Sequence, residues 1–131
     1  MRKNNNGRIV ITSSNSGTQG SAGGAGYVTS KHGIIGLMKV AAIECVPFGI
    51  RVNTENPSAI ESRMMRSIEN QADPDAPNKV KESIEAINPM KRYGKPEEIA
   101  NMMLFLIGDE SSYCNGGCHT VDGGVTAGSA V

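Results

Sequence analysis

Residues Ser14 to Lys31 read S-N-S-G-T-Q-G-S-A-G-G-A-G-Y-V-T-S-K, and most of the predicted architecture follows from their surroundings. A short apolar run precedes it and a long segment without proline follows Tyr27, which predicts a strand, a glycine-rich loop and a helix. Tyr27 lies thirteen residues after Ser14, and Lys31 lies four residues after Tyr27. Four residues is about one helical turn, so we expect the phenol and the ammonium on one face of the helix.

These three side chains form a candidate proton-transfer site. A free phenol has a pKa of about 10, and a nearby cation favours its ionised form. A lysine one turn away therefore prepares a tyrosine to give and take protons near neutral pH. Ser14 at a strand end could hydrogen-bond a substrate oxygen, which suits chemistry on an alcohol and carbonyl pair. The alternative is an ordinary surface pair, since tyrosine and lysine often stand one turn apart on helices.

A serine followed thirteen residues later by Tyr-x-x-x-Lys resembles the catalytic pattern of the short-chain dehydrogenase/reductase family. The resemblance implies that Tyr27 is the acid/base and that Ser14 positions the substrate oxygen. It also implies that Lys31 binds the nicotinamide ribose. Ser14, Tyr27 and Lys31 are therefore the expected catalytic residues.

The segments on either side predict a parallel α/β fold. The β-branched run Arg8 to Ser13 does not alternate with polar residues, which predicts a central strand buried on both faces. The helix runs from Tyr27 to Val46, because Pro47 and Gly49 follow it. Ile50 to Thr54 predicts a second strand, which completes a parallel strand, helix and strand crossover before an Asn-Pro pair.

Two short helices are expected next. The segment Ser58 to Asn78 predicts an amphipathic helix with Met64, Met65 and Ile68 facing inward. The methionines could form an adaptable pocket wall or simply fill the core. Lys79 to Ile87 predicts a further helix.

The carboxyl-terminal part predicts a buried helix from Pro96 to Ile107 and a short strand from Cys118 to Asp122. Apolar residues cover more than one stripe of the Tyr27 to Val46 helix. We therefore expect one face of that helix on the sheet and another on a partner subunit of a homo-oligomer. Cys45 lies within this apolar pattern and is expected in the core.

Composition excludes several classes of protein. The 131 residues suit one domain, the formal net charge is zero and aromatic residues are 4%, so nucleic acid is not expected as a partner. No apolar run approaches the roughly 20 residues that span a membrane, and the first residues do not resemble a signal peptide, so we expect a cytoplasmic protein. Cys114, Cys118 and His119 could suggest metal ligands, but they lack a second pair, and no metal is expected.

Further motifs extend the resemblance over essentially the whole chain. E-N-P-S-A-I-E-S stands where the family has a Pro-Gly element over the nicotinamide, with Pro57 matching and Ser58 in place of glycine. The resemblance implies cofactor contacts from Pro57, Ser58, Ile60 and Ser62, together with Tyr27 and Lys31. P-M-K-R-Y-G-K-P-E-E-I-A and V-D-G-G look like the family's carboxyl-terminal signature.

The resemblance implies that residues 1–131 form the carboxyl half of a Rossmann-like, doubly wound parallel sheet. It implies an NAD- or NADP-dependent oxidoreductase acting on a small-molecule alcohol or ketone, and Y-C-N-G-G favours cyclic alcohols, steroids or quinone-like diols. The family's glycine-rich cofactor loop and its NAD-or-NADP selecting residue have no counterpart before Ser14. We therefore expect the chain alone not to bind a dinucleotide tightly.

Two alternatives remain. Gly20, Gly24 and Gly26 lie between a strand and a helix, and Glu55 follows in the next strand, which mimics a first dinucleotide-binding unit. That interpretation leaves the serine, tyrosine and lysine pattern unexplained. The chain could also be a non-catalytic fragment of the family that acts only in subunit association.

Overall fold

The computed structural model describes residues 1–128, which build an α/β fold on one parallel sheet. In chain order, its elements are β1 (Gly7–Thr12), α1 (Ala25–Cys45), β2 (Ile50–Pro57), α2 (Arg63–Ala72), α3 (Pro77–Ile87), α4 (Pro96–Ile107) and β3 (Cys118–Val121). Short 3-10 helices occur at Arg2–Asn4, Asn15–Gly17, Val46–Phe48 and Asp109–Ser111.

The sheet has the order β1-β2-β3, and both neighbouring pairs are parallel. The predicted strand, helix and strand crossover is confirmed by β1, α1 and β2. The prediction of Arg8 to Ser13 as the central strand is wrong for the described residues, because β2 is central and β1 is a half-buried edge strand. β2 also extends beyond the predicted Thr54 as far as Pro57, because Thr54 to Pro57 pair with β3.

The apolar core lies between α1 and one face of the sheet. Ile35, Met38 and Ala42 of α1 are buried against Ile50 and Val52 of β2. Partly buried side chains complete this cluster, among them Ile9, Ile11, Ala41, Cys45 and Phe48. Cys45 therefore contributes to the core, as the sequence predicts. This packing fixes α1 along the sheet and so determines where the first turns of α1 stand.

The end of α1 depends on one glycine. A 3-10 helix with Pro47 follows α1, and Gly49 then adopts a positive φ of 63°. A Cβ at Gly49 would lie 2.1 Å from the carbonyl oxygen of Asn5. Only glycine fits this left-handed position against the backbone, so the chain turns directly from α1 into β2.

α4 covers the opposite face of the sheet and contacts all three strands. Arg51 projects from β2 and donates hydrogen bonds to the carbonyl oxygens of Leu106, Gly108 and Cys114 at 2.9–3.0 Å. The carboxyl end of α4 is therefore tied to the central strand by a charged side chain.

The prediction of a buried α4 is wrong for most of its apolar residues. Leu106 is fully buried, whereas Leu104, Phe105 and Ile107 are exposed. α1 likewise exposes Leu37, Val40, Ile43 and the following Val46. Each helix therefore has one apolar face on the sheet and a second apolar face in solvent.

Candidate active site

A cavity of about 360 Å³ opens where β1 and β2 end, beside the amino-terminal turns of α1, α2 and α4. Ligands of open parallel sheets bind beyond the carboxyl ends of the strands, so this is the expected location. All seven residues predicted from the sequence line this cavity: Ser14, Tyr27, Lys31, Pro57, Ser58, Ile60 and Ser62. A neighbouring cavity of about 340 Å³ shares Ser58 and Ile60 but contacts none of the three predicted catalytic residues.

Ser14 is held rigidly just beyond β1. Its backbone is extended, with φ −174°, and its side chain caps the 3-10 helix Asn15–Gly17 by accepting from the Ser16 amide at 3.1 Å. Its hydroxyl donates to Asn15 Oδ1 at 3.1 Å. Asn56 Nδ2, on β2, donates to the Ser14 carbonyl at 3.1 Å. The hydroxyl is thus fixed in place and has one proton that could be redirected to a ligand.

Tyr27 and Lys31 lie on one face of α1, as their spacing predicts. Lys31 Nζ is 5.5 Å from the centroid of the Tyr27 ring. The same ammonium donates to the Thr12 carbonyl at the end of β1, at 3.4 Å. Tyr27 is 46% exposed, so its hydroxyl is reachable from the cavity and from solvent.

The loop after β1 packs closely on α1. The Ser13 hydroxyl donates to the Lys31 carbonyl at 3.0 Å. A Cβ at Gly17 would approach Ser13 Oγ to 2.5 Å and the Lys31 carbonyl oxygen to 3.0 Å. Glycine at this position therefore lets the Ser14 loop approach the turn of α1 that presents Tyr27 and Lys31.

The opposite wall is formed by the residues that follow β2. Ser58 stands where the family resemblance expects glycine, but it does not adopt a positive φ. Its hydroxyl donates to the Asp122 carbonyl at 3.3 Å. Ser62 caps α2 by accepting from the Met65 amide at 3.3 Å, and Ile60 forms a single β-bridge with Gly94. The backbone at Ser58 therefore does not require glycine.

The prediction that Met64, Met65 and Ile68 face inward is wrong in part. Met64 and Met65 line the cavity, but Met64 is 57% exposed and Ile68 is 43% exposed. The buried residue of α2 is instead Glu69, which accepts from Arg66 at 2.9 Å. The orientation of α2 therefore depends on charged contacts as well as on apolar ones.

A charge network joins α2 to α3 at the rim of the cavity. Glu61 accepts from Lys81 at 2.5 Å and from Arg66 at 2.7 Å. These two cations hold the pKa of Glu61 below its usual value. Burial, followed by the Glu69 carboxylate, raises the pKa of the Tyr93 phenol behind α2. Glu61 thus faces the cavity already paired.

Sequence reasoning did not select several residues of the site. Thr12, Glu61 and Ile99 also line the cavity, and Asn56 supports Ser14 from a fully buried position. Thr12 is the last residue of β1, and Asn56 is one residue before the end of β2. Their position at strand ends is the sequence feature that could have identified them. Ile99 reaches the cavity only because α4 packs across the sheet, and local sequence carries no signal for that.

The glycines of the alternative dinucleotide interpretation lie far from the end of β1. Residues 13–24 separate β1 from α1, whereas a dinucleotide turn passes almost directly from strand to glycine. A Cβ at Gly20 or Gly26 would meet no atom within 4 Å. Glu55 is completely buried rather than open to a ribose. This geometry does not fit a first dinucleotide-binding unit.

The carboxyl-terminal cysteines and histidine stand apart from the cavity. Cys114 is half-buried, Cys118 is exposed, and His119 Nε2 lies 3.3 Å from Asn53 Oδ1. Burial lowers the pKa of His119. Within residues 1–128, no three His, Cys, Asp or Glu side chains are grouped to hold a metal ion. None of the helices in this range is both long and apolar enough to span a membrane.

The sequence and the fold match known proteins along nearly the whole chain. Residues 1–126 match the family described as enoyl-(acyl carrier protein) reductase. Levodione reductase of Leifsonia aquatica is 39% identical over 127 residues, which is 97% of this chain and 48% of that protein. The 3-oxoacyl-(acyl-carrier-protein) reductase of Thermotoga maritima is 41% identical over 125 residues, or 95% of this chain and 48% of that protein.

Solved structures agree with these relatives. The crystal structure of levodione reductase superposes with a TM-score of 0.95 at 39% identity, covering 98% of this chain and 50% of that one. An actinorhodin polyketide ketoreductase with NADPH gives a TM-score of 0.87 at 32% identity, covering 94% and 48%. This chain thus spans about half the length of the relatives it matches, and it belongs to the short-chain dehydrogenase/reductase family.

Proposed function

We propose that this chain carries the substrate side of an NAD(P)-dependent oxidoreductase site that interconverts alcohols and ketones. The observation that supports the proposal is the convergence of Ser14, Tyr27 and Lys31 on one cavity. Its relatives of about twice the length include levodione reductase and a ketoreductase with NADPH. The residues that select NAD or NADP are proposed to lie outside this chain.

In the proposed reaction, oxidation of an alcohol removes a hydride from carbon and a proton from oxygen. Tyr27 accepts that proton as a phenolate, whose negative charge the Lys31 ammonium stabilises, and it becomes a neutral phenol. Ser14 turns its hydroxyl from Asn15 to the substrate oxygen and fixes its position. Ketone reduction is the reverse, with Tyr27 donating the proton as the carbonyl carbon receives the hydride.

A nicotinamide cofactor, when bound, supplies or accepts the hydride. The cavity wall suits its nicotinamide end, because Pro57 and Ile60 offer apolar surface and Ser58 and Ser62 offer backbone and hydroxyl groups. The described residues contain no strand-to-glycine turn for the pyrophosphate. We therefore propose that the cofactor is held by this wall together with a second, glycine-rich half.

The proposed substrate is a small uncharged carbonyl compound, with a cyclic ketone or diol as the favoured class. Met64, Met65, Ile60 and Ile99 make much of the cavity wall apolar. Glu61 is neutralised by Lys81 and Arg66, so it does not attract a cationic substrate strongly.

A second candidate function is subunit association without catalysis. The exposed apolar faces of α1 and α4 favour a homo-oligomer, because a single parallel sheet covers only one face of each helix. Association and catalysis are compatible, so the test of catalysis must be made on a complete site.

The test is a fusion of the amino half of levodione reductase from Leifsonia aquatica to this chain. The purified fusion is assayed for hydride transfer with cyclic ketones and each of NADH and NADPH. We expect Tyr27→Phe to lower kcat by about 10²- to 10⁴-fold, because general acid/base catalysis contributes that much. Tyr113→Phe, at a fully exposed tyrosine, is the matched control and should leave kcat unchanged.

Turnover by the Tyr27→Phe fusion equal to that of the parent would remove Tyr27 from its proposed role. A folded fusion that binds NADPH but reduces no ketone would instead favour the association function.

A further inference from the structure

Asn56 is a fully buried residue of β2 whose side chain contacts the Ser14 loop, residues 13–24. Its Nδ2 donates to the Ser14 carbonyl at 3.1 Å, while its Oδ1 has no hydrogen-bond partner among residues 1–128. Turning the carboxamide over would place its oxygen against the Ser14 carbonyl oxygen, so the donor must face Ser14. Within the described chain, the contact with Ser14 is therefore the hydrogen bond for which this buried side chain is arranged.

Pro57 explains why a side chain is needed at this point. Thr12 pairs with Glu55 in the parallel ladder, and the Ser13 amide donates to the Glu55 carbonyl at 2.9 Å. In a parallel ladder the next bond would run from the amide of residue 57 to the Ser13 carbonyl, but proline has no N–H group. The main-chain ladder between β1 and β2 thus ends at Ser13, and the Asn56 carboxamide supplies a donor one residue further along.

The remaining hydrogen bonds of Ser14 stay within its own turn. The Gly17 amide donates to the same Ser14 carbonyl at 2.9 Å, and the Ser16 amide donates to the Ser14 hydroxyl oxygen at 3.1 Å. The hydroxyl itself donates to Asn15 Oδ1. These partners all move with the turn, whereas Asn56 belongs to the central strand. Among the described residues, Asn56 is therefore the hydrogen-bonded tie between Ser14 itself and the sheet.

We propose that Asn56 is a positioning residue for Ser14, which holds the turn so that the Ser14 hydroxyl faces the substrate oxygen. This role deepens the proposed function and rests on it, because Asn56 acts on the reaction only through Ser14. A displacement of the serine by about an ångström can lower the rate about 10²-fold. The hydrogen bond from Ser14 strengthens as charge develops on the substrate oxygen, so losing the tie should lower kcat more than it raises KM.

The first test measures the tie in the chain itself by amide hydrogen exchange. The Gly17 amide donates to the Ser14 carbonyl, so its exchange rate reports the opening of the turn. We expect Asn56→Ala to raise the Gly17 rate about three- to tenfold relative to Gly7 at the other end of β1, which corresponds to the net contribution of one hydrogen bond. Thr54→Val is the matched control and should leave this ratio unchanged. Thr54 is equally buried on the same strand face, and its hydroxyl has no partner among the described residues.

The second test is a double-mutant cycle in the fusion with the amino half of levodione reductase. We expect Asn56→Ala to lower kcat for ketone reduction about 10- to 100-fold while KM changes less than about threefold. Ser14→Ala keeps the carbonyl that Asn56 contacts but lacks the hydroxyl. In that background Asn56→Ala should lower kcat less than about twofold, because the group that it positions is already absent. Thr54→Val should leave kcat at the parent value.

Two results would overturn the role of Asn56. One is a Gly17 exchange rate that stays unchanged relative to Gly7 in Asn56→Ala, whatever the fusion does. The other is an equal loss of kcat in the parent and Ser14→Ala backgrounds, because Asn56 would then act on the site as a whole and not through Ser14. If Asn56→Ala does not fold, Asn56→Leu takes its place, because leucine has a similar volume and cannot donate a hydrogen bond.

The same measurements separate this role from the proposed function. Turnover by Tyr27→Phe equal to that of the parent would remove the assignment of Tyr27. The role of Asn56 would still stand if its effect on kcat depends on the Ser14 hydroxyl. A fusion that reduces no ketone would count against the proposed function, and the Gly17 exchange rate would then decide whether Asn56 holds the turn.

Discussion

Gly17 determines how closely the Ser14 loop approaches α1. A methyl group there would meet Ser13 Oγ and the Lys31 carbonyl. We expect Gly17→Ala to lower the free energy of unfolding in urea by about 1–3 kcal/mol, because overpacking displaces the loop. Gly20→Ala is the matched control, since a Cβ at Gly20 meets open space and should change stability by less than about 0.5 kcal/mol. Equal effects of the two substitutions would contradict this account.

Glu55 predicts an unusual pH dependence of stability. Its folded pKa is raised by burial, so between the unfolded and folded pKa values the folded state binds more protons than the unfolded state. Stability is therefore highest below the unfolded pKa and is lost as pH rises through the folded pKa. We expect Glu55→Met to be more stable than the parent at pH 8 by about 1–3 kcal/mol, and to differ less at pH 4.

Urea unfolding at the two pH values checks this expectation. The stability of the parent chain, measured relative to Glu55→Met, should fall from pH 4 to pH 8. If it does not fall, the negative charge of Glu55 is fully compensated by its surroundings in the folded state.

At the scale of elements, the start of α4 depends on one carboxylate. Glu98 accepts from both terminal nitrogens of Arg92 at 2.7 Å and from the Lys95 amide at 2.7 Å. The Arg92 guanidinium makes the largest contribution and the Lys95 amide the next, and together they lower the pKa of Glu98 to about 2. The stability it contributes is present above the unfolded pKa and is lost as pH falls towards about 2.

We therefore expect Glu98→Gln to lower the melting temperature at pH 7 and to weaken its fall between pH 5 and pH 2. Glu97→Gln, at the exposed neighbour in the same turn, removes the same charge without these contacts. Calorimetry that gives both variants the same melting temperature would assign the effect to the helix dipole alone.

Elements whose limits are set locally were predictable from the sequence. α1 ends at Cys45, one residue from the predicted Val46, because Pro47 and Gly49 stop it wherever it packs. The tyrosine and lysine share a face because their spacing fixes it. Local rules thus predicted both the long helix and the shared face of Tyr27 and Lys31.

Features set by distant partners were not predictable. β2 continues to Pro57 because β3 pairs beside it, and the Asn-Pro pair ends the strand only at its last residue. The inward face of α2 was mispredicted because Glu69, which hydropathy places in solvent, is buried with Arg66 as its partner. β1 was predicted as central because its composition suits burial on both sides, but hydropathy does not show which strands are its neighbours.

At the scale of the whole molecule, two apolar helix faces predict self-association. Leu37 and Val40 of α1 and Leu104 of α4 are each more than half exposed. We expect light scattering at micromolar concentration to show an oligomer, and the double variant Val40→Glu with Leu104→Glu to shift it to monomer, because each charge would be buried in the interface. A charge at Ile35, which is also on α1, would not test the contact, because Ile35 is buried in the core and the substitution would disrupt the fold itself.

Lys79→Glu, at an exposed residue of α3, is the control for the change in charge and should leave the oligomer intact. A monomeric parent would contradict self-association. A double variant that stays oligomeric would place the subunit contact on another surface.

The isolated chain is also expected not to bind dinucleotides tightly. Its cavity offers a wall for the nicotinamide end, but most affinity in such folds comes from backbone amides around the pyrophosphate. Isothermal titration of monodisperse chain with NAD, NADH, NADP and NADPH should show no saturable binding in the micromolar range. Micromolar binding would mean that the chain builds a pyrophosphate site of its own, with Gly20, Gly24 and Gly26 the first residues to substitute.

The open edge of β1 has a consequence for how the chain folds. The Gly7 and Ser13 amides bond towards β2, so by alternation the amides of Arg8 and Val10 point away from it, towards a side with no described strand. Such a row can template strand addition by a second chain. During refolding, the folding of one chain, which is first order in concentration, then competes with the pairing of two chains along β1, which is second order. The yield of native chain should therefore fall as the refolding concentration rises.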